Sequence, residues 1–265
     1  VDPTSFTDNY ADLYVGRIPA NDNEMLSTML EKVMFMDRAP PAVSDHYHRS
    51  ILAGGYNSDA FDSSTDAMSV YLTDKVGAEN VFYAYKGRNF NPGRWNTARG
   101  DQSFWPARIL DGIQRDDKNW QASALYKPNQ SANDYAAAAK LKTEWSKGAA
   151  LVSYMCHGAA EGWIWNRGSP PLFGIDEIQP NLNTPTKLSL VIDRSCSTAS
   201  SNNNFTQALL AHPNGGAYAM IAGTSVSWND DSLSPLFNGF LSAFMDDFYP
   251  FFTDYFDETI HSTDP

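Results

Sequence analysis

The chain has 265 residues and a net charge of −12 at neutral pH. This length can bury one substantial core, and the sequence contains no uninterrupted apolar run of the kind that crosses a membrane. The negative charge argues against a nucleic-acid partner, because binding to phosphates depends on a positive face. It fits a secreted or cell-surface protein and weakly favours cationic substrates.

The first third of the chain alternates predicted strands with predicted helices. The strands are expected at 12–18, 50–53 and 81–85, and the helices at 24–35 and 64–72. Asn21 or Asp22 is placed to cap the first helix, because short polar side chains accept hydrogen bonds from the first free backbone N–H groups. Alternation of this kind is typical of a parallel sheet covered by helices.

Residues 86–130 break this alternation and lack a clear period, which predicts a functional lid or a flexible excursion. The segment mixes arginines with tryptophans, so it could recognise an acidic group. The alternative is that the arginines offset the acidic surface and the tryptophans pin the segment to the body. The Ala-rich stretch 131–147 that follows ends at Gly148 and predicts a helix.

Two short apolar runs then end at reactive side chains. The run that begins at Leu151 ends at His157, and the run that begins at Leu188 ends at Cys196. Such runs predict buried parallel strands, whose carboxyl ends gather functional groups at one edge of a sheet. If the strands are neighbours, an imidazole and a thiol meet there, as a cysteine nucleophile requires.

The chain has only two cysteines, too few for a disulfide scaffold. Cys156 and Cys196 would both follow strand ends, so a disulfide between them is geometrically conceivable. The simpler interpretation is that Cys156 is a small buried hydrophobic residue, because unpaired cysteines are usually buried.

A strand ending in His-Gly and a later strand ending in Asp-x-x-Cys resemble the caspase-like cysteine peptidases. Four further blocks are similar to the gingipain family within that group. They are the entry segment Val15-Gly-Arg-Ile-Pro19, the stretch from His157 to Trp163, the helix from Asn204 to Leu210, and the strand from Ala219 to Trp228. The resemblance covers most of residues 9 to 240 and implies an α/β, caspase-like fold with a mainly parallel sheet and helices on both faces.

The resemblance assigns catalytic roles to two residues. Cys196 would be the nucleophile and His157 the base and acid, whereas the structural alternatives are a buried cysteine and a hydrogen-bonded histidine. The resemblance also implies that the amides of Gly158 and Cys196 form an oxyanion hole. The family's third, orienting acid has no clear counterpart, because Tyr56 and Asn57 occupy its place and Asp59 follows a little later.

The resemblance further suggests a substrate pocket. Asp66 falls where the arginine-specific members carry a pocket acid, and Trp228 falls where they carry the pocket wall. A carboxylate there would pair with a substrate Arg or Lys. The alternative for Asp66 is an acid favoured by the first turn of a helix; Asp230 and Asp231 are a second source of negative charge.

These observations predict a secreted or surface cysteine endopeptidase that cleaves protein or peptide substrates through a thioester. The catalytic domain is expected to span 1–247, followed by an acidic, aromatic tail at 248–265 that marks a processing boundary. No cofactor is required for this chemistry. Structural Ca²⁺ is expected from the resemblance, but no EF-hand spacing is present and no ligands are assigned.

Two other functions stay open. A gingipain-like domain that has lost proteolysis would serve as a surface, secretion or assembly module, and the absent third acid favours this alternative. An acyl-transferring relative would use the same two residues while excluding water. Because function depends on the site and not on the fold, resemblance alone does not decide among them.

Overall fold

A computed structural model describes residues 16–40, 44–54, 72, 76–85, 130–164, 171–200 and 202–226. The helices in this part of the chain are α1 (Asn23–Arg38), α2 (Ser44–His48), α3 (Gln130–Trp145), α4 (Ile175–Asn181) and α5 (Phe205–Ala211). A short 3₁₀ helix covers Ala78–Asn80. None of these helices is long and apolar enough to span a membrane.

The strands of the described residues form two sheets. They are β1 (Ser50–Gly54), β2 (Val81–Tyr85), β3 (Leu151–Met155), β4 (His157–Ala159), β5 (Gly162–Ile164), β6 (Pro171–Gly174), β7 (Ser189–Arg194) and β8 (Ala217–Ile221). The larger sheet has the order β2-β1-β3-β7-β8, and every adjacent pair is parallel. The smaller sheet, β4-β5-β6, is antiparallel. The sequence prediction of a mainly parallel α/β fold is therefore confirmed.

The central strands are apolar because helices and loops cover both of their faces. All residues of β1 and β7 are buried. On one face, Ile51, Val152 and Val191 pack beneath Trp145 of α3 and Phe205 of α5. On the other face, Leu188 packs with a smaller cluster that includes Met36 and Tyr47.

Local sequence fixes the start of α1. The Asp22 side chain accepts a hydrogen bond from the Met25 amide at 2.8 Å, which makes Asp22 the cap. Residues 16–20 are irregular, so the strand predicted at 12–18 is wrong over its last three positions, while its first four lie outside the described residues. Pro19 lies directly after these positions and lacks the N–H that a strand ladder needs.

Lys32 connects α1 to the part of the fold that follows Cys196. Its Nζ donates to the carbonyls of Leu209, Leu210 and Ala217 at 3.1, 2.9 and 3.0 Å. Burial lowers the pKa of Lys32 to about 7, whereas three acceptors favour the ammonium form, which alone supplies three donors. Lys32 thus satisfies carbonyls at the carboxyl end of α5, where a cation is favoured.

Candidate active site

His157 lies directly after the end of a central strand. β3 ends at Met155, and His157 begins β4, where it pairs with Ile164 across an antiparallel hairpin. The Tyr154 hydroxyl is 2.9 Å from the carbonyl oxygens of both His157 and Ile164. The backbone of His157 is therefore held from inside the core, and the residue itself is half-buried.

Cys196 lies on a tight loop after β7. The next residue, Ser197, has a φ of 59°, an uncommon conformation for a residue other than glycine. The Ser197 amide donates to the Ser225 carbonyl at 3.0 Å, and the Ala199 amide donates to the Gly223 carbonyl at 3.0 Å. These bonds join the loop to the segment that follows β8 and leave Cys196 half-buried at the sheet edge.

The two segments meet because β3 and β7 are neighbours in parallel register, with Met155 opposite Arg194. Gly158 shows how close the segments are. A Cβ on Gly158 would lie 2.3 Å from Ser195 Oγ and 2.5 Å from the Cys196 carbonyl oxygen. Only glycine fits at this position, so the predicted neighbourhood of the His157 and Cys196 segments is confirmed.

A buried carboxylate lies beneath the cysteine loop. Asp193, 2% exposed, accepts hydrogen bonds from Ser195 Oγ and Thr198 Oγ1, each at 2.5 Å. Burial raises the pKa of Asp193, while the hydroxyls of Ser195 and Thr198 and the nearby Trp163 indole act to lower it. The Trp163 N–H does not reach hydrogen-bond geometry. The two hydroxyls lie on either side of Cys196 and hold its loop.

An aromatic cluster packs behind these groups. The Tyr154 and Trp163 rings stack at 4.5 Å between centroids, and Trp163 stacks on Trp145 at 5.6 Å. Phe205 approaches Trp163 edge-on at 5.2 Å. Such large buried rings restrict movement of the hairpin that carries His157.

Cys156 is 3% exposed and belongs to the main apolar core. It forms no disulfide with Cys196. The prediction that Cys156 is a small buried hydrophobic residue is confirmed, and the conceivable disulfide between the two cysteines is not formed.

Several predicted site residues lie outside the described residues. These are Asp66 and Trp228 of the expected pocket, Tyr56, Asn57 and Asp59 near the expected third acid, and the acids Asp230 and Asp231. Most of the excursion at 86–130 and all of the tail at 248–265 also lie outside them, and the excursion's last residue, Gln130, begins α3. The assignments of Asp66 and Trp228 stay predictions.

The metal expectation also stays untested. Within the described ranges, no group of three or more His, Cys, Asp or Glu side chains is arranged to hold a metal ion. The calcium expectation rested on the resemblance and on the many Asp and Asn residues of the chain.

Sequence reasoning missed the support beneath the site. Tyr154 precedes His157 by three positions, and Asp193 precedes Cys196 by three positions. This equal spacing of polar groups inside apolar strands was a usable signal. The antiparallel hairpin that carries His157 was also missed, since strands of three residues have little periodicity.

A parallel sheet that brings a histidine and a cysteine to adjacent strand ends agrees with the caspase-like fold that the sequence predicts. The family model of peptidase family C25 matches residues 1–263. The chain therefore belongs to peptidase family C25, a family of cysteine peptidases.

Solved structures of similar fold agree with this assignment. The crystal structure of the Arg-specific cysteine proteinase gingipain R (RgpB) matches with a TM-score of 0.54 and 17% identity, over 94% of this chain and 46% of that chain. A complex of Porphyromonas gingivalis RgpB pro- and mature domains matches with a TM-score of 0.58 and 15% identity, over 97% of this chain and 53% of that chain. This chain thus spans about half the length of these structures. Among curated proteins, no match was found.

Proposed function

We propose that this chain carries the active site of a secreted cysteine endopeptidase, with Cys196 as nucleophile and His157 as proton carrier. The supporting observation is the close approach of Gly158 to Ser195 and Cys196, because it places the residue after the histidine against the cysteine itself. Membership of peptidase family C25 supports the same chemistry.

The proposed reaction has two stages. The Cys196 thiolate attacks the scissile carbonyl carbon, and protonated His157 gives its proton to the leaving amine as the C–N bond breaks. A water molecule then attacks the thioester as His157 takes up its proton, and the C–S bond breaks. This releases the acid product and restores the Cys196 thiolate and the protonated His157.

The tetrahedral intermediates of both stages carry a negative oxygen. The amides of Gly158 and Cys196 are proposed to donate to it, and the absence of a side chain at Gly158 permits the substrate carbonyl to approach. Losing one such donor typically costs about 3 kcal/mol of transition-state stabilisation.

The experiment that tests this function is cleavage of a mixed peptide library, with calcium and reductant present, beside a Cys196→Ala control. Cleavage that disappears in the control supports the endopeptidase. Absence of cleavage, together with slow alkylation of Cys196, contradicts it and favours the inactive surface, secretion or assembly module. A catalytic thiol is alkylated rapidly at mildly acidic pH, whereas an ordinary buried thiol is not.

Cleavage after Arg or Lys is proposed as the preference, because Asp66 occupies a position that resembles the pocket acid of the arginine-specific members. The net charge of −12 also favours cationic substrates. Asp66→Asn should lower kcat/KM for an Arg substrate by about 10- to 100-fold relative to a neutral one, because the proposed charge pair with the substrate is lost. Undiminished cleavage after Arg in this variant would refute the preference.

A further inference from the structure

Two polar side chains occupy equivalent places beneath the two halves of the proposed active site. Tyr154 and Asp193 lie directly opposite each other in the parallel register of β3 and β7. Tyr154 is 0% exposed and Asp193 is 2% exposed. Since each lies three positions before a proposed catalytic residue, the same strand pairing sets the positions of both.

Asp193 acts on the cysteine side. One carboxylate oxygen accepts from Ser195 Oγ, and the other accepts from Thr198 Oγ1. The donors are one position before and two positions after Cys196, so both sides of the nucleophile are tied to one rigid group. An ionised carboxylate is acceptor-only, and it therefore fixes the direction of both hydroxyl hydrogens.

Burial of the Asp193 carboxylate among uncharged partners lowers the stability of the fold. A buried carboxylate is expensive even when it is hydrogen-bonded, and the groups that act to lower the pKa of Asp193 are uncharged hydroxyl, indole and amide donors. An apolar residue of the same volume would stabilise the fold more. What the carboxylate provides is a two-point attachment for the loop, which an apolar residue does not provide.

Tyr154 acts on the histidine side. Its hydroxyl lies 2.9 Å from the carbonyl of His157 and 2.9 Å from the carbonyl of Ile164, at the point where β4 pairs with β5. Its ring is fixed by stacking on Trp163. Burial, and then the nearby Cys156 and Asp193, raise the pKa of Tyr154 well above its usual value, so the hydroxyl remains a donor.

We propose that Asp193 and Tyr154 are paired positioning residues, which together set the separation between the Cys196 thiol and the His157 imidazole. This inference rests on the proposed function of those two groups. Neither Asp193 nor Tyr154 touches the substrate. They act through the backbone and hydroxyl groups that hold the catalytic residues.

The test compares Asp193→Asn and Tyr154→Phe with wild type and with Ser189→Ala. Ser189 is a suitable control because it is a buried residue of β7, whose Oγ accepts from Trp145 and donates to the Ala149 carbonyl. It lies roughly 20 Å from Ser195 along the strand. The control therefore removes buried hydrogen bonds from the same strand while leaving the bonds of Asp193 and of the Tyr154 hydroxyl in place.

The measurements are kcat, KM, the melting temperature and the alkylation rate of Cys196 by iodoacetamide across pH. Asp193→Asn should lower kcat by about 10- to 100-fold with KM changed by less than about 3-fold, since a misplaced nucleophile slows chemistry more than binding. Tyr154→Phe should lower kcat by about 10-fold. Ser189→Ala should lower the melting temperature and leave kcat unchanged.

Retention of wild-type kcat in both Asp193→Asn and Tyr154→Phe would overturn the inference, as would an equal fall of kcat in Ser189→Ala. If Asp193→Asn does not fold, Ser195→Ala and Thr198→Val replace it. The inference then requires each variant to lower kcat and the double variant to lose less than the product of the two effects.

The proposed function is tested by a different measurement, the cleavage activity of Cys196→Ala. Persistence of cleavage in Cys196→Ala would remove Cys196 from catalysis, whatever the positioning variants do. Loss of cleavage in Cys196→Ala with full kcat in the positioning variants would leave the peptidase intact and overturn only the paired positioning.

Discussion

Two buried carboxylates at opposite ends of the parallel sheet have opposite surroundings. Glu144, near the end of α3, lies at the edge where the strands begin, and its side chain is 4% exposed. It contacts Arg49 at 2.9 Å, Lys140 at 2.8 Å and Lys147 at 3.1 Å. Asp193 lies at the edge where the strands end and accepts hydrogen bonds from neutral hydroxyls.

The pKa values follow these surroundings. Burial raises the pKa of Glu144, but the hydrogen bonds from Lys140, Arg49 and Lys147 outweigh it and lower the pKa to about 2. Burial raises the pKa of Asp193, and its neutral partners do not reverse the shift. One end of the sheet therefore uses a carboxylate to stabilise the fold, whereas the other holds a carboxylate that costs stability and orders the loop of the proposed nucleophile.

The largest expected contrast comes from two glycines, one at each end of the sheet. Gly158→Ala should lower kcat/KM by about 100-fold or more, because the new Cβ would displace Ser195 and Cys196. Gly148, at the start of β3, has a φ of 90°, and a Cβ there would meet Lys187 side-chain carbons at 2.6 and 2.7 Å.

Gly148→Ala should therefore lower the free energy of unfolding by about 1–3 kcal/mol and leave kcat/KM of the folded fraction unchanged. Peptide cleavage and urea denaturation of both variants measure the contrast. Equal losses of activity would show that the two ends of the sheet are not functionally distinct.

The next prediction concerns a variant that removes the charge of Glu144. Glu144→Gln should lower the free energy of unfolding by about 2 kcal/mol at pH 7, because three cations lose a buried partner. The kcat of the variant should match wild type. Thermal and urea denaturation, measured beside peptide cleavage, provide the comparison, and a fall in kcat with unchanged stability would contradict it.

The pH dependence of this difference has a definite sign. The pKa of Glu144 falls from 4.5 to about 2 on folding, so the unfolded state binds more protons between these values. The stabilisation is complete above pH 4.5 and is lost as the pH falls toward 2. The gap in unfolding free energy between wild type and Glu144→Gln should be constant from pH 5 to 7 and shrink below pH 4. A gap that stays constant at pH 3 would argue against this ionisation.

The smallest effect is expected from the outermost partner of Glu144. Lys147 pairs with it at 3.1 Å, but the lysine side chain is 53% exposed. Lys147→Ala should change the free energy of unfolding by less than about 0.5 kcal/mol, because water screens an exposed pair. Arg49 is the matched partner for comparison, because its side chain is 17% exposed and stacks over the Phe82 ring at 4.1 Å. Arg49→Ala should lower the free energy of unfolding clearly more than Lys147→Ala in the same denaturation series.

Sequence analysis predicted the parts of the fold that depend on local pattern. The apolar runs before His157 and Cys196 predicted two buried parallel strands, and β3 and β7 are neighbours as expected. A cap at Asn21 or Asp22 was also predicted from residue types, and the structure has Asp22. The helix from 131 was predicted in the same way and is observed as α3. These features follow from periodicity and hydrogen-bonding capacity, which a single sequence displays.

The support beneath the site was not predictable in the same way. The hydrogen bond from Thr198 to Asp193 forms only after the loop of Cys196 has folded. The bond from the Tyr154 hydroxyl to the Ile164 carbonyl forms only after the β4–β5 hairpin has folded. A polar residue inside an apolar run shows that a partner must exist, because buried polar groups are paired. It does not show which residue the partner is.

The loop of Cys196 is bonded through its backbone to the segment at 223–225, which follows β8, the last strand of the parallel sheet among the described residues. Residues linked in this way are expected to open together and to show similar protection from amide hydrogen exchange. Protection of the Ser197 and Ala199 amides should therefore follow that of β8. The lifetime of the ordered nucleophile loop then depends on how firmly β8 stays attached to β7.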